Sequence, residues 1–129
     1  MKTKSQISVE FMFLIGFLTI ISIAVIAVAG YQLENYNKRI ETYRIKDLGE
    51  SLKKEIETAA IVQDGYIRLL DVPETIEYNI NYTLTSSATS IYIQGEHYSY
   101  SAIIPPIIGS IQKGTNTIKK INGEIIIEN

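Results

Sequence analysis

From residue 11 to residue 30 the chain runs for 20 residues without a charged side chain. A protein of 129 residues cannot hide such a stretch in a small water-soluble core. At about 1.5 Å of rise per residue, a helix of that length spans roughly 30 Å, the thickness of bilayer hydrocarbon. Residues 1–5 form a short polar leader carrying Lys2 and Lys4, and residues 7–29 read as one continuous apolar helix. Gly16, Thr19 and Ser22 recur at three-residue spacing along it, and on a membrane helix such small residues let a neighbouring helix approach closely.

The pattern changes at Tyr31. Leu33, Tyr36, Ile40, Tyr43, Leu48, Leu52, Ile56 and Ala59 fall mostly three or four apart, with Glu34, Lys38, Glu41, Lys46, Glu50, Lys53 and Glu57 between them. That is the period of an amphipathic helix. No proline precedes Pro73, so nothing forces a break between the greasy and amphipathic halves. The expectation is one helix over residues 6–62, stopped by the turn signal Gln63-Asp64-Gly65. Three tyrosines on it, Tyr31, Tyr36 and Tyr43, suit gaps between neighbouring helices or a membrane interface.

Beyond that point the period becomes two. Strands are expected over residues 66–70, 78–85, 90–94, 97–103, 115–121 and 124–128, with Tyr78, Ile80, Tyr82 and Leu84 on one face of the second. Hairpins are expected at Gly95-Glu96 and, with the strongest turn signal, at Asn122-Gly123. The chain holds 25 Ile and 9 Tyr, types that suit a pleated, half-buried surface. The fold class is therefore α+β: a long N-terminal helix whose amphipathic half packs on one face of a small antiparallel β domain, residues 63–129.

Several function classes fall away. A net charge of −2 with no basic patch argues against a nucleic-acid partner. Without cysteine there is no disulfide framework and no thiolate metal site. His97 is the single histidine, too little for a metal centre, and reads as a structural residue on a hairpin shoulder. No carboxylate pair, nucleophile elbow, phosphate loop or dinucleotide fingerprint stands out. The sequence points to neither an enzyme nor a cofactor.

The N-terminus could be an ordinary secretory signal, with Ala27-Val28-Ala29 as a cleavage site. Against that, the apolar run exceeds the usual h-region of about 7 to 15 residues. Glu10 also heads the run, and the helical pattern continues through Ala29 into Leu33. A carboxylate at the centre of a membrane helix costs roughly 2.5–3.5 kcal/mol, so Glu10 calls for a partner, although a helix start favours its charge. Cleavage before Gln6 would create an α-ammonium one helical turn from Glu10, in its own chain or in a neighbour.

Gln6-Ile7-Ser8-Val9-Glu10-Phe11, behind a Lys-containing leader and ahead of an apolar run, resembles the class III signal peptide of archaeal type IV pilins. That family's motif is Gln-x-Ser-x-Glu followed by an aromatic residue, and each fixed position matches. The resemblance is firmest over residues 2–30. It implies cleavage between Ser5 and Gln6 by a prepilin peptidase, where the family commonly has Gly in place of Ser5. It further implies retention of the helix, an assembly role for Glu10, and polymerisation with other pilin subunits by an assembly ATPase and a membrane platform protein. The subunit would contact membrane lipid before assembly and stand on the cell surface afterwards, in an attachment filament. Asn81-Tyr82-Thr83 is an N-glycosylation sequon, and pilins of this type are often glycosylated. Two other readings stand beside this one: a minor or priming pilin, and a membrane-tethered or secreted binding domain that never polymerises.

Overall fold

A computed structural model of the protein describes the backbone of residues 2–129 and the side chains of residues 9–129. One helix, α1, runs without interruption over Lys2–Ile61. It ends where the turn signal stands: Val62 N–H still donates to the Thr58 carbonyl at 3.2 Å, and Gly65 N–H then bonds the Lys120 carbonyl at 2.9 Å. Gly65 holds φ at +92°, a left-handed conformation that glycine adopts without a Cβ clash. The chain divides into two units, Met1–Asn37 and Lys38–Asn129. Over its described residues, 2–37, the first is helix alone.

The second unit contains the rest of α1 and seven strands: β1 (Ile67–Val72), β2 (Thr83–Ser86), β3 (Ser90–Gln94), β4 (Ser99–Ile103), β5 (Ile107–Ile108), β6 (Gly114–Ile121) and β7 (Glu124–Glu128). They form two sheets, one ordered β1-β6-β7-β5 and one ordered β2-β3-β4. Pairing is antiparallel except between β5 and β7, which run parallel. The sequence predicts six strands in an antiparallel domain; seven form, divided between two sheets, and the β5–β7 pair departs from the antiparallel pattern. Pro105-Pro106 follows the end of β4, and the chain resumes at once as the two-residue strand β5 beside β7. The β6–β7 hairpin turns at Asn122 (φ 53°) and Gly123 (φ 80°), the double positive φ of a type I′ turn.

Residues Glu41, Ile45, Gly49, Leu52, Ile56 and Ala59 form the buried stripe of α1. Ile45, Leu52, Ile56, Val72, Ile91, Ile93 and Ile118 are each no more than 1% exposed, so helix and both sheets close one core. The stripe departs from the expected one. Leu33, Tyr36 and Tyr43 are exposed, while Ile45 and Glu41 turn inward. Two glycines explain the docking angle. A Cβ on Gly49 would lie 2.2 Å from Cδ1 of Tyr100, and one on Gly95 would lie 2.2 Å from Cδ1 of Ile45. The helix seats where both contacts close without a side chain between, and that register selects the inward face.

Residues 78–85 are not one strand. Ile76 and Ile80 exchange backbone hydrogen bonds of 3.1 and 3.2 Å, closing a tight loop in which Tyr78 (φ 67°) and Asn79 (φ 58°) are left-handed. The expected alternation survives from Ile80 onward, since Tyr82 is 5% exposed and its hydroxyl donates to the Pro73 carbonyl. Tyr78 instead points outward at 73% exposure, with the Arg44 guanidinium over its ring and Arg44 paired to Glu77 at 2.5 Å. Burial, then the negative charge of Glu74, pushes the Tyr82 hydroxyl up to about 12.

Candidate anchoring and assembly surface

The feature that most needs a function is the surface of α1 over residues 9–30. It is helical throughout and none of its side chains is buried. Phe11, Met12, Phe13, Phe17, Ile20 and Ile26 are 60–76% exposed. Water-exposed apolar area on this scale marks a site that meets lipid or another protein. The helix is long and apolar enough to cross a membrane.

Its local chemistry suits an apolar surrounding. Thr19 and Ser22 would each bring a hydroxyl into that surrounding, at a cost if it found no acceptor. Both hydroxyls fold back instead: Thr19 Oγ1 donates to the Ile15 carbonyl and Ser22 Oγ to the Leu18 carbonyl, each at 2.8 Å. Val9, Met12, Phe13, Gly16, Phe17 and Ile20 line a shallow notch on one face. Gly16 makes the notch, because a Cβ placed there would have no heavy atom within 4 Å. Large side chains around a glycine offer a second helix a place to approach closely.

Glu10 is exposed at the head of this surface, followed directly by Phe11. The side chains of Ser5 and Gln6, the expected cleavage pair, lie outside the described residues; their backbone belongs to α1. Asn81 is exposed, as a modification site requires, but it sits in the connection leading into β2 and not on the polar face of a strand. The sequon's Thr83 is the first residue of β2 and is also exposed.

One buried charge escaped the sequence reading. Glu41, expected on a solvated face, is 6% exposed and receives the β3–β4 connection. Its Oε1 accepts from the backbone N–H of His97 at 2.8 Å and of Tyr98 at 3.4 Å, and its Oε2 lies 2.8 Å from His97 Nδ1. Burial works to raise the carboxyl's pKa, but these hydrogen bonds outweigh it and hold Glu41 below its usual range. Such a cluster fixes a hairpin. Because Glu41 engages the amides of residues 97 and 98, β4 begins at Ser99 rather than at His97. Among the described residues, no group of three or more His, Asp or Glu gathers into a metal site.

No family model, curated protein or solved structure matches this chain. The chain is an α+β protein with one long N-terminal helix and a small, mostly antiparallel β region, and its apolar helical segment is compatible with membrane anchoring.

Proposed function

We propose that this chain is the structural subunit of a type IV pilus-like surface filament. It is made as a membrane-anchored precursor, cut between Ser5 and Gln6 by a prepilin peptidase, and assembled through residues 11–30 by an ATPase and a membrane platform. The observation that carries this reading is the charge-free, wholly unburied helical surface directly behind the Gln6-x-Ser8-x-Glu10-Phe11 motif. A surface that satisfies lipid also satisfies other copies of itself, so one segment serves as anchor first and as filament core later. Glu10 fits both stages, since the amine freed at Gln6 lies one helical turn away and neutralises it within the chain or across a contact. The β region then faces the surroundings, where exposed Asn81 is open to glycan transfer.

N-terminal sequencing of the mature protein tests the processing step, and electron microscopy of cell-surface material tests assembly. A start at Gln6 with filaments lost in Glu10→Ala supports the proposal. A start near Tyr31 sinks it, because the assembly segment would then be discarded. An intact Met1 without filaments would leave a simple membrane tether.

A further inference from the structure

The three-stranded sheet ends at β4, and the backbone bonds show which groups it leaves free. Gly95 N–H donates to the Tyr98 carbonyl at 2.8 Å, and Ile104 N–H to the Thr89 carbonyl at 3.0 Å. In the β3–β4 register, where Ile93 faces Tyr100 and Ile91 faces Ala102, these bonds fix the alternation. Residues 98, 100, 102 and 104 bond to β3. The N–H and C=O groups of Ser99, Ser101 and Ile103 therefore point away from the sheet.

Proteins usually blunt such an edge with charge, proline or a covering segment. The outer strand β1 carries Arg68 and Asp71 within it. At the other end of the β4 sheet, β2 is partly covered, because the Ser86 hydroxyl accepts from Ile111 N–H at 2.7 Å. β4 has none of these devices: its sequence is Ser-Tyr-Ser-Ala-Ile, and Ile103 is 82% exposed. Beside it lies an open groove lined by Ser101, Ala102 and Ile103 together with Glu50 and Lys53 of α1.

We propose that the free edge of β4 is a strand-addition site whose occupant is a second copy of this chain, paired antiparallel about Ser101. The free residues are spaced evenly around Ser101. A two-fold axis there sets Ser101 opposite Ser101 and Ser99 opposite Ile103, and every outward N–H meets an outward C=O. The groove's charges are already engaged within the chain, since Glu50 accepts from the Tyr100 hydroxyl at 3.1 Å and Lys53 pairs with Glu57 at 3.7 Å, so the groove selects neither an acidic nor a basic segment. Register favours a copy over a foreign peptide, because the outward groups of Ser99, Ser101 and Ile103 complement themselves when reversed. A two-fold contact closes on itself and cannot propagate a filament. The pairing thus stands apart from the filament proposal; in a filament it would join subunits of neighbouring fibres.

The chain has no cysteine, so introduced thiols report without background. Facing residues of a hydrogen-bonded antiparallel pair lie about 5.5 Å apart at Cα, within disulfide reach. The full chain in detergent, carrying Ser101→Cys, is expected to give a disulfide-linked dimer on mild oxidation. Thr85→Cys, also exposed and on the same sheet but with its backbone bonded to β3, is expected to stay monomeric. Adding Ile103→Pro removes one outward N–H without touching the β3 ladder, and should lower the Ser101→Cys dimer yield at least about tenfold. If circular dichroism shows that the proline disturbs the fold, Ile103→Lys carries the same test by charging the edge. Equal cross-linking of both cysteines, no dimer from Ser101→Cys, or a dimer indifferent to the folded edge variant would each overturn the proposal.

Discussion

Residues 9–30 and residues 38–61 belong to the same helix, yet they solve opposite problems. The later stretch carries charges on most of its circumference and buries one narrow stripe under two sheets. The earlier stretch carries only Glu10 and buries nothing. Both stretches are helical, but packing stabilises only the later one within the chain, and the earlier one is rich in β-branched residues that are weak helix formers in water. An isolated helix in water draws little stability from its own hydrogen bonds, and one covered in Phe, Ile and Leu has strong reason to leave water. The contrast teaches that the first stretch is completed by something other than its own chain, whereas the second is complete already.

The comparison breaks most sharply at the core. Ile56 is 0% exposed, and Ile56→Ala should cost the β-containing unit about 2–5 kcal/mol through lost burial and a residual cavity. Chemical denaturation followed by circular dichroism measures it. The same variant should leave membrane partitioning unchanged, and a loss of partitioning would show that the two stretches do not act separately.

The reciprocal change is slightly smaller. Ile20 is 67% exposed, so Ile20→Arg should leave the denaturation midpoint of the β-containing unit where it was. In a membrane the arginine costs about 2.5–3.5 kcal/mol at mid-helix, and the chain should shift from the membrane fraction to the soluble or degraded fraction. Unaltered fractionation would mean that residues 9–30 are not held in lipid.

Period and turn chemistry made much of this legible in advance. An uninterrupted apolar run cannot be read as anything but a surface that water should not touch. Asn122-Gly123 announces its turn because few other pairs tolerate two left-handed residues. What stayed hidden depends on contacts between distant segments. Nothing near Gly49 says that the Tyr100 ring will rest against it, so the inward face of α1 was assigned to Tyr43 and not to Ile45. The left-handed pair at Tyr78 and Asn79 is likewise invisible in an alternating run of tyrosine and asparagine, because the Ile76–Ile80 bridge that imposes it arises only when both isoleucines reach the core. Asn81 was misplaced onto a strand for the same reason.

Glu41 is the sharpest instance, and it carries the smallest and most specific prediction. A glutamate in a run of charged residues reads as solvated, yet this one is buried because the backbone amides of His97 and Tyr98 arrive to receive it. Glu41→Gln keeps the size and an acceptor oxygen but removes the charge that strengthens those bonds. The loss should be at most about 1.5–3 kcal/mol, the range for hydrogen bonds to a charged group. The folded-state pKa of Glu41 lies below its unfolded value, so its ionised form stabilises the fold at all pH above the unfolded value of about 4.5. That contribution drains away as pH falls from there through the folded-state pKa. Denaturation midpoints of the parent and Glu41→Gln proteins should therefore differ at neutral pH and converge in acid. A gap that stays constant down to pH values where the parent carboxyl is protonated would mean that Glu41 acts by shape alone, and that the β3–β4 hairpin is seated on α1 by Gly95 and Ile45 without help from charge.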